Sequence, residues 1–372
     1  MNKWIFVLAL VHFVCLNATA QTFLVSSRNT HSVKQFDTNG DYLGDFVSAN
    51  SGGLSFPQEV VWHPDGFLLV TGRGNNAIKK YDGMNGAYLG NFTTGYTLDN
   101  PTKTTIWQDS LLYVSQWGVS QNKIVRFNLK TGAFVDEFSS AGVPAGCGHT
   151  WDAGGNLLVA QYGNGVNGKV WKFNPSGSLL PDFISSDILQ GPVNLWFDKA
   201  GFLFVADWTL GKVLKFNGLT GGFESEAITG LTNVEGFAFD KAGQLYLCDW
   251  TENIVYKYNF TTNALTPFIT TGGLVAPNGM LIREIVSGKN EVNETEESPL
   301  VVMPNPTSGF ISFDPGESFF QADLFDENGR LVLSKNNHAK LDVSHLLTGV
   351  YFLKITTPDS RSSRVCRVKI IR

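Results

Sequence analysis

The chain has 372 residues, a net charge of −5, 16% charged and 13% aromatic residues, and 39 glycines. That balance gives no reason to expect nucleic acid as a partner, and four widely spread cysteines are no disulfide framework. Many short aromatic-rich segments punctuated by glycine predict an all-β protein, long enough for two or three domains.

Residues 1–20 read as a signal peptide. Lys3 supplies the positive start, residues 4–16 the apolar run, and Ala18, Thr19 and Ala20 the small cleavage residues before Gln21. The run is short for a membrane span, and no other stretch is apolar enough to cross a membrane. The mature protein is therefore expected to be exported.

From Gln21 one unit recurs six times. The last apolar residue of an apolar segment falls at Val25, Val70, Val114, Val159, Val205 and Leu247, in steps of 45, 44, 45, 46 and 42 residues. An aromatic closes the next segment at Phe36, Tyr81, Phe127, Phe173, Phe216 and Tyr258. This period suits four short antiparallel strands, A to D, making one propeller blade. β-branched and aromatic residues in short runs oppose a helical repeat of the same length. In the second copy, A covers residues 59–63, B 67–71, C 77–82 and D 88–93. The first copy opens directly on a B strand. The missing A strand lies at residues 276–282, after the sixth copy, so residues 21–284 are expected to close into a six-bladed β-propeller.

Residues 285–299 are polar and acidic and read as a flexible linker. Residues 300–372 carry a separate strand pattern, at 309–313, 321–325, 331–334, 339–343, 349–356 and 363–371, with a hairpin signal at Asp326-Glu327-Asn328-Gly329. A small Ig-like β-sandwich is expected there.

In an antiparallel blade the start of A and the end of B share one face of the disc. The residues at the channel mouth are then Gln58, Glu59, Thr102, Lys103, Cys147 to His149, Val193, Asn194, Glu235 and Asn278 from the A strands. The B strands add Arg28, Arg73, Trp117, Tyr162, Asp207, Trp208, Asp249 and Trp250. Aromatic walls with a few convergent polar groups make this the default binding site. Arg28, Arg73, Lys103, Trp117, His149, Tyr162, Asn194, Trp208 and Trp250 are the candidate ligand-binding residues. Asp207 and Asp249 are the catalytic candidates. An Asp after strand B also commonly caps its own turn, and the sequence leaves these two roles open. The candidate ligand is a small molecule, a glycan or a surface protein, and a monomer is expected.

Two resemblances extend this reading. Pro304-Asn305-Pro306-Thr307-Ser308-Gly309, Leu341-Asp342-Val343-Ser344-His345-Leu346, Leu347 to Ile355 and the basic Lys369-Ile370-Ile371-Arg372 occur in order at the C-terminus. Residues 300–372 thereby resemble the C-terminal sorting domain of type IX secretion cargo from the Bacteroidetes. The resemblance implies that the type IX machinery is a partner and that the protein ends outside the cell, released or anchored at the surface. The repeat, through Phe204-Val205-Ala206-Asp207, Leu247-Cys248-Asp249, Ala276-Pro277-Asn278-Gly279 and the two Phe-Asp-Lys-Ala-Gly turns, resembles NHL and gluconolactonase/regucalcin-like propellers. Lactonase-type members hold a divalent cation through a Glu, an Asn and an Asp. By that resemblance Glu59, Glu235 and Asn278 would hold calcium or magnesium and make a metal-dependent lactone hydrolase. Two departures stand against it: Glu235 replaces an Asp, and its order around the ring relative to Asn278 is reversed. The competing expectation is an exported, non-catalytic propeller that binds at this mouth.

Overall fold

The structure is a computed structural model that describes residues 19–108, 110–185, 187–286, 300, 302–314, 320–326, 330–356 and 363–371. The expected signal peptide therefore lies almost wholly outside the described residues, and so does most of the expected linker. The strand Pro277–Val286 runs two residues into the expected linker. The described residues fall into two compact units, Thr19–Ile285 and a C-terminal one, and they contain no α-helix.

The first unit consists of four-stranded sheets, six among the described residues, five of them following chain order from A to D. The sheet of the first copy is completed by a distant strand: Pro277–Val286 takes the A position beside Thr19–Ser27. Turn chemistry explains the tight A–B corners. Asp198 Oδ1 accepts the N–H groups of Ala200 and Phe202, both at 2.9 Å, while Gly201 takes φ +85°. Only a residue without a Cβ adopts that angle cheaply.

Side-chain alternation decides how the sheets pack. Leu24 faces the second sheet and packs with Val60, Leu68 and Val70. Phe23 and Val25 face the other way, onto Tyr246, Cys248 and Met280. Leu69 likewise turns toward Leu112 and Val114 of the third sheet, and Tyr113 toward Val159 and Phe173 of the fourth. Leu158, Val205 and Leu247 share a core across the last three sheets. Both faces of each B strand are thus dry, which is why these strands read as continuous apolar runs. Each such buried aliphatic side chain contributes about 1.5–3 kcal/mol. The arrangement is propeller-like.

Hydroxyl groups fasten the seams near the axis. Ser26 Oγ donates to the carbonyls of Gln58 and Gly279, both at 3.1 Å. Thr71 and Thr104 share a hydrogen bond of 2.6 Å, and Ser115 and His149 Nδ1 another of 2.6 Å. In each case the next-to-last residue of a B strand reaches the neighbouring A strand.

The C-terminal unit has a three-stranded sheet, Val302–Met303, Phe310–Phe313 and Lys340–Asp342, and a four-stranded one in the order Leu331–Asn336, Gln321–Asp326, Gly349–Thr356, Ser363–Ile370. Its core includes Ile311, Leu324, Leu341, Leu353, Val368 and Ile370. The tip of the expected hairpin, residues 327–329, lies outside the described residues.

Candidate functional site

The site grows out of three consecutive positions at the end of every B strand. The first holds Ser26, Thr71, Ser115, Ala160, Ala206 and Cys248, and all six are buried between sheets. The second holds Ser27, Gly72, Gln116, Gln161, Asp207 and Asp249. The third holds Arg28, Arg73, Trp117, Tyr162, Trp208 and Trp250, and all six line one cavity of about 380 Å³. A cleft of this size falls in the range of small-molecule sites, about 300–1,000 Å³. Successive side chains point to opposite sides of a strand, so the second position turns back into the protein when the third faces the axis.

That alternation corrects the expectation for Asp207 and Asp249. Both are fully buried, and neither lines the cavity. Asp207 accepts from the backbone N–H of Gln190 at 2.7 Å, of Gly191 at 2.9 Å and of Leu210 at 3.0 Å. Asp249 accepts from Thr232 at 2.6 Å, Glu252 at 3.2 Å and Asn233 at 3.3 Å. Burial, opposed by the backbone N–H groups, raises the Asp207 carboxyl above its ordinary range. These carboxylates cap turns and have no lone pairs aimed at a ligand.

The A strands supply the rest of the lining through a repeated irregularity. The A–B register slips between Pro57 and Val60, Pro101 and Thr104, Gly146 and His149, Pro192 and Asn194, and Val234 and Phe237. Each slip is a β-bulge, a device that re-aims side chains beside sites. It turns Gln58 and Glu59, Thr102 and Lys103, Cys147 and Gly148, Val193, and Glu235 and Gly236 into the cavity, with Asn194, Asn278 and Gly279 beside them. His149 lies just past its bulge and is corrected with the two aspartates. It is 3% exposed, bonded to Thr105 at 2.8 Å and to Ser115 at 2.6 Å, and outside the cavity lining. Burial first, then the nearby Lys103 charge, pushes its imidazole down to about 3. It is a neutral seam residue.

Around the mouth the third positions divide. Four aromatics form a continuous arc, with ring centroids 5.0 Å apart from Trp117 to Tyr162, 6.2 Å from Tyr162 to Trp208 and 5.7 Å from Trp208 to Trp250. Two arginines fill the remainder. Arg28 lies 4.5 Å over Phe56 and Arg73 lies 4.7 Å over Trp117. Phe56 braces both loops: its N–H donates to His31 Nδ1 at 3.0 Å and its carbonyl accepts from the Arg73 N–H at 3.1 Å. It holds φ +47°, a strained angle for an aromatic residue. Sequence reasoning missed Phe56, Gly236 and Gly279. Only the unusual angle of Phe56 and the close approach of neighbouring backbone to the two glycines mark them, and neither is visible in residue type.

The charges at the cavity floor are specific. Lys103 Nζ sits 2.5 Å from Glu59 Oε2. The Glu235 carboxyl has no hydrogen bond or ion pair among the described residues, although its backbone carbonyl accepts from Asn194 Nδ2 at 3.4 Å. Burial pushes its carboxyl up to about 7, although Arg73, Arg28 and Lys103 pull it down; Glu59 pushes it further up. Asn278 Nδ2 donates to Gln58 Oε1 at 2.6 Å, while its Oδ1 is buried without a hydrogen-bond partner. Glu59, Glu235 and Asn278 do meet at one cavity, but the set does not fit calcium or magnesium. Glu59 already carries the Lys103 ammonium, Arg28 and Arg73 face the same space, and three cations outnumber two carboxylates. A divalent ion would enter a positive field.

The C-terminal unit answers to a known family. Residues 301–369 match the secretion system C-terminal sorting domain. Such a tail directs the chain, through the type IX machinery, to the cell surface or the extracellular space. No helix among the described residues is long and apolar enough to cross a membrane. No curated protein matches the chain. Among solved structures it is similar to a chain of a nidogen/laminin complex, with TM-score 0.58, 14% identity and coverage of 70% of this chain and 98% of that one. A protein of unknown function from Bacteroides caccae gives TM-score 0.56, 17% identity, and 71% and 98% coverage. Virginiamycin B lyase from Staphylococcus aureus gives TM-score 0.51, 13% identity, and 69% and 84% coverage. At these identities the likeness is of a propeller-like fold alone.

Proposed function

We propose that this secreted protein is a non-catalytic binding propeller that holds a small ring-bearing molecule at the mouth of its channel. Residues 21–284 would form six blades closed by the strand at 277–286, joined through residues 285–299 to an Ig-like sorting domain at 300–372. The observation that carries the binding role is the arc of Trp117, Tyr162, Trp208 and Trp250 lining one cavity. Ring edges and faces at this spacing stack against sugar or aromatic rings. The lactone hydrolase reading has less support, because the carboxylate that would begin its cation shell carries a lysine and both aspartates near the mouth cap turns.

Trp208→Ala should lower affinity for a bound ring by about tenfold or more while leaving the melting temperature nearly unchanged. Tryptophan fluorescence titrations against monosaccharide glycosides test this, and unchanged affinity would refute the arc as the binding wall. Deleting residues 300–372 should leave the first unit folded but held in the periplasm. The truncated protein appearing in the medium at normal yield would refute the sorting role of residues 300–372.

A further inference from the structure

We infer that the ligand is a sugar carrying a single carboxylate, a uronate, with its carboxylate between Arg28 and Arg73 and its ring against the aromatic arc. This rests on the ring-binding reading and adds a charge to it.

Several cations of this protein are ion-paired. On the outer strands Lys34 is paired with Asp45, Arg126 with Asp136, Lys169 with Asp182 and Lys212 with Glu226, all within 2.9 Å. Arg28 and Arg73 have no ion pair among the described residues, although burial weakens the hold of both guanidiniums on their protons. The Arg73 charge adds to this at Arg28, while the Glu235 charge opposes it at both. Each is instead supported on a ring face, Phe56 or Trp117, which leaves the N–H edge of the guanidinium able to turn toward a ligand. Arg28 spends one donor on Asn29 Oδ1 at 3.0 Å. Two half-buried guanidiniums facing one cavity, with only the Glu235 charge to offset them, favour the arrival of an anion.

The same cavity limits what that anion is. Lys103 neutralises Glu59, so the two arginines face one remaining carboxylate, Glu235. With Glu235 ionised, a singly charged guest balances this lining, and a dianion would be repelled by Glu235. A planar two-oxygen carboxylate also matches the guanidinium fork. Beside Cys147, Val193 and three glycines, the remaining lining offers amides and a hydroxyl from Gln58, Thr102, Asn194 and Asn278, whose Oδ1 is an acceptor without a partner. Such groups recognise hydroxyls, which favours a sugar acid over an aromatic acid.

The test uses the whole secreted chain, calorimetry and four probes: the methyl glycosides of glucuronate and galacturonate and their neutral counterparts, glucoside and galactoside. Benzoate and sulfate serve as anion controls. At least one uronide should bind about tenfold or more tightly than its neutral counterpart, and added salt should erode that margin. Arg28→Gln and Arg73→Gln should each collapse the ratio of uronide to neutral-glycoside affinity toward one, with melting curves showing both variants folded. Equal affinity for uronide and neutral glycoside, both lost in Trp208→Ala, would overturn the uronate and leave the ring-binding reading standing. Benzoate or sulfate binding as tightly as the uronides would overturn the sugar acid. No binding of any glycoside to the folded protein would overturn both.

Discussion

The loops of the first two sheets and those of the last two occupy the same place in the fold but are built by opposite means. After Asp207 and Asp249 the chain turns around a buried carboxylate that collects backbone N–H groups, and the next residue, a tryptophan, is delivered to the cavity wall. After Ser27 and Gly72 no carboxylate is present. The chain instead makes the short 3-10 turns Arg28–Thr30 and Arg73–Asn75, braced from outside by Phe56. One side of the mouth is therefore self-supporting and aromatic, and the other is cationic and held by a neighbour. A repeat fixes position around the axis, while single residues inside it decide chemistry.

The comparison can be broken first at Asp207. Asp207→Ala strips the acceptor from several buried N–H groups and should cost about 3 kcal/mol or more, at about 1–3 kcal/mol for each orphaned group. The adjacent Trp208→Ala should cost far less stability while removing binding. Denaturant melts of the two variants check this, and an Asp207→Ala protein as stable as its parent would return the aspartate to the ligand.

A smaller effect sharpens the contrast between Glu235 at the floor and His149 in the seam. Glu235 has its carboxyl raised from 4.5 to about 7, so the folded state holds its proton more tightly than the unfolded state. That contribution is complete below pH 4.5 and lost as pH rises through about 7. His149 is depressed from 6.5 to about 3, so its contribution is complete above pH 6.5 and lost as pH falls toward 3. Between pH 4.5 and 6.5 the two slopes oppose each other, and stability should change little with pH. Glu235→Gln should convert that plateau into a continued rise and gain on the order of 2 kcal/mol at pH 7. His149→Gln should convert it into a fall. Thermal melts across the range decide, and a Glu235→Gln profile parallel to its parent's would refute the buried charge.

Much of this was legible in the residues. Six apolar anchors at near-equal spacing, each followed by an aromatic, carry the repeat, and the antiparallel course of each unit puts the third position of every B strand at one mouth. The sorting tail was legible because its motifs are short, ordered and local. The roles of Asp207, Asp249 and His149 were not. Whether a side chain faces the axis, its own turn or the next sheet depends on strand alternation and on a bulge, and a bulge of one residue leaves no mark in composition.

The sequence by itself determined which strand ends meet at the mouth, because period and strand direction are properties of the chain. The tertiary structure decided what their charges mean. Glu59 with Lys103 at 2.5 Å is a neutralised pair, Glu235 a raised carboxyl, and Arg28 and Arg73 two cations with no ion pair among the described residues, only because residues up to 207 positions apart are packed into one cavity. Electrostatic roles follow distance and burial, and neither exists until the last strand has paired with the first.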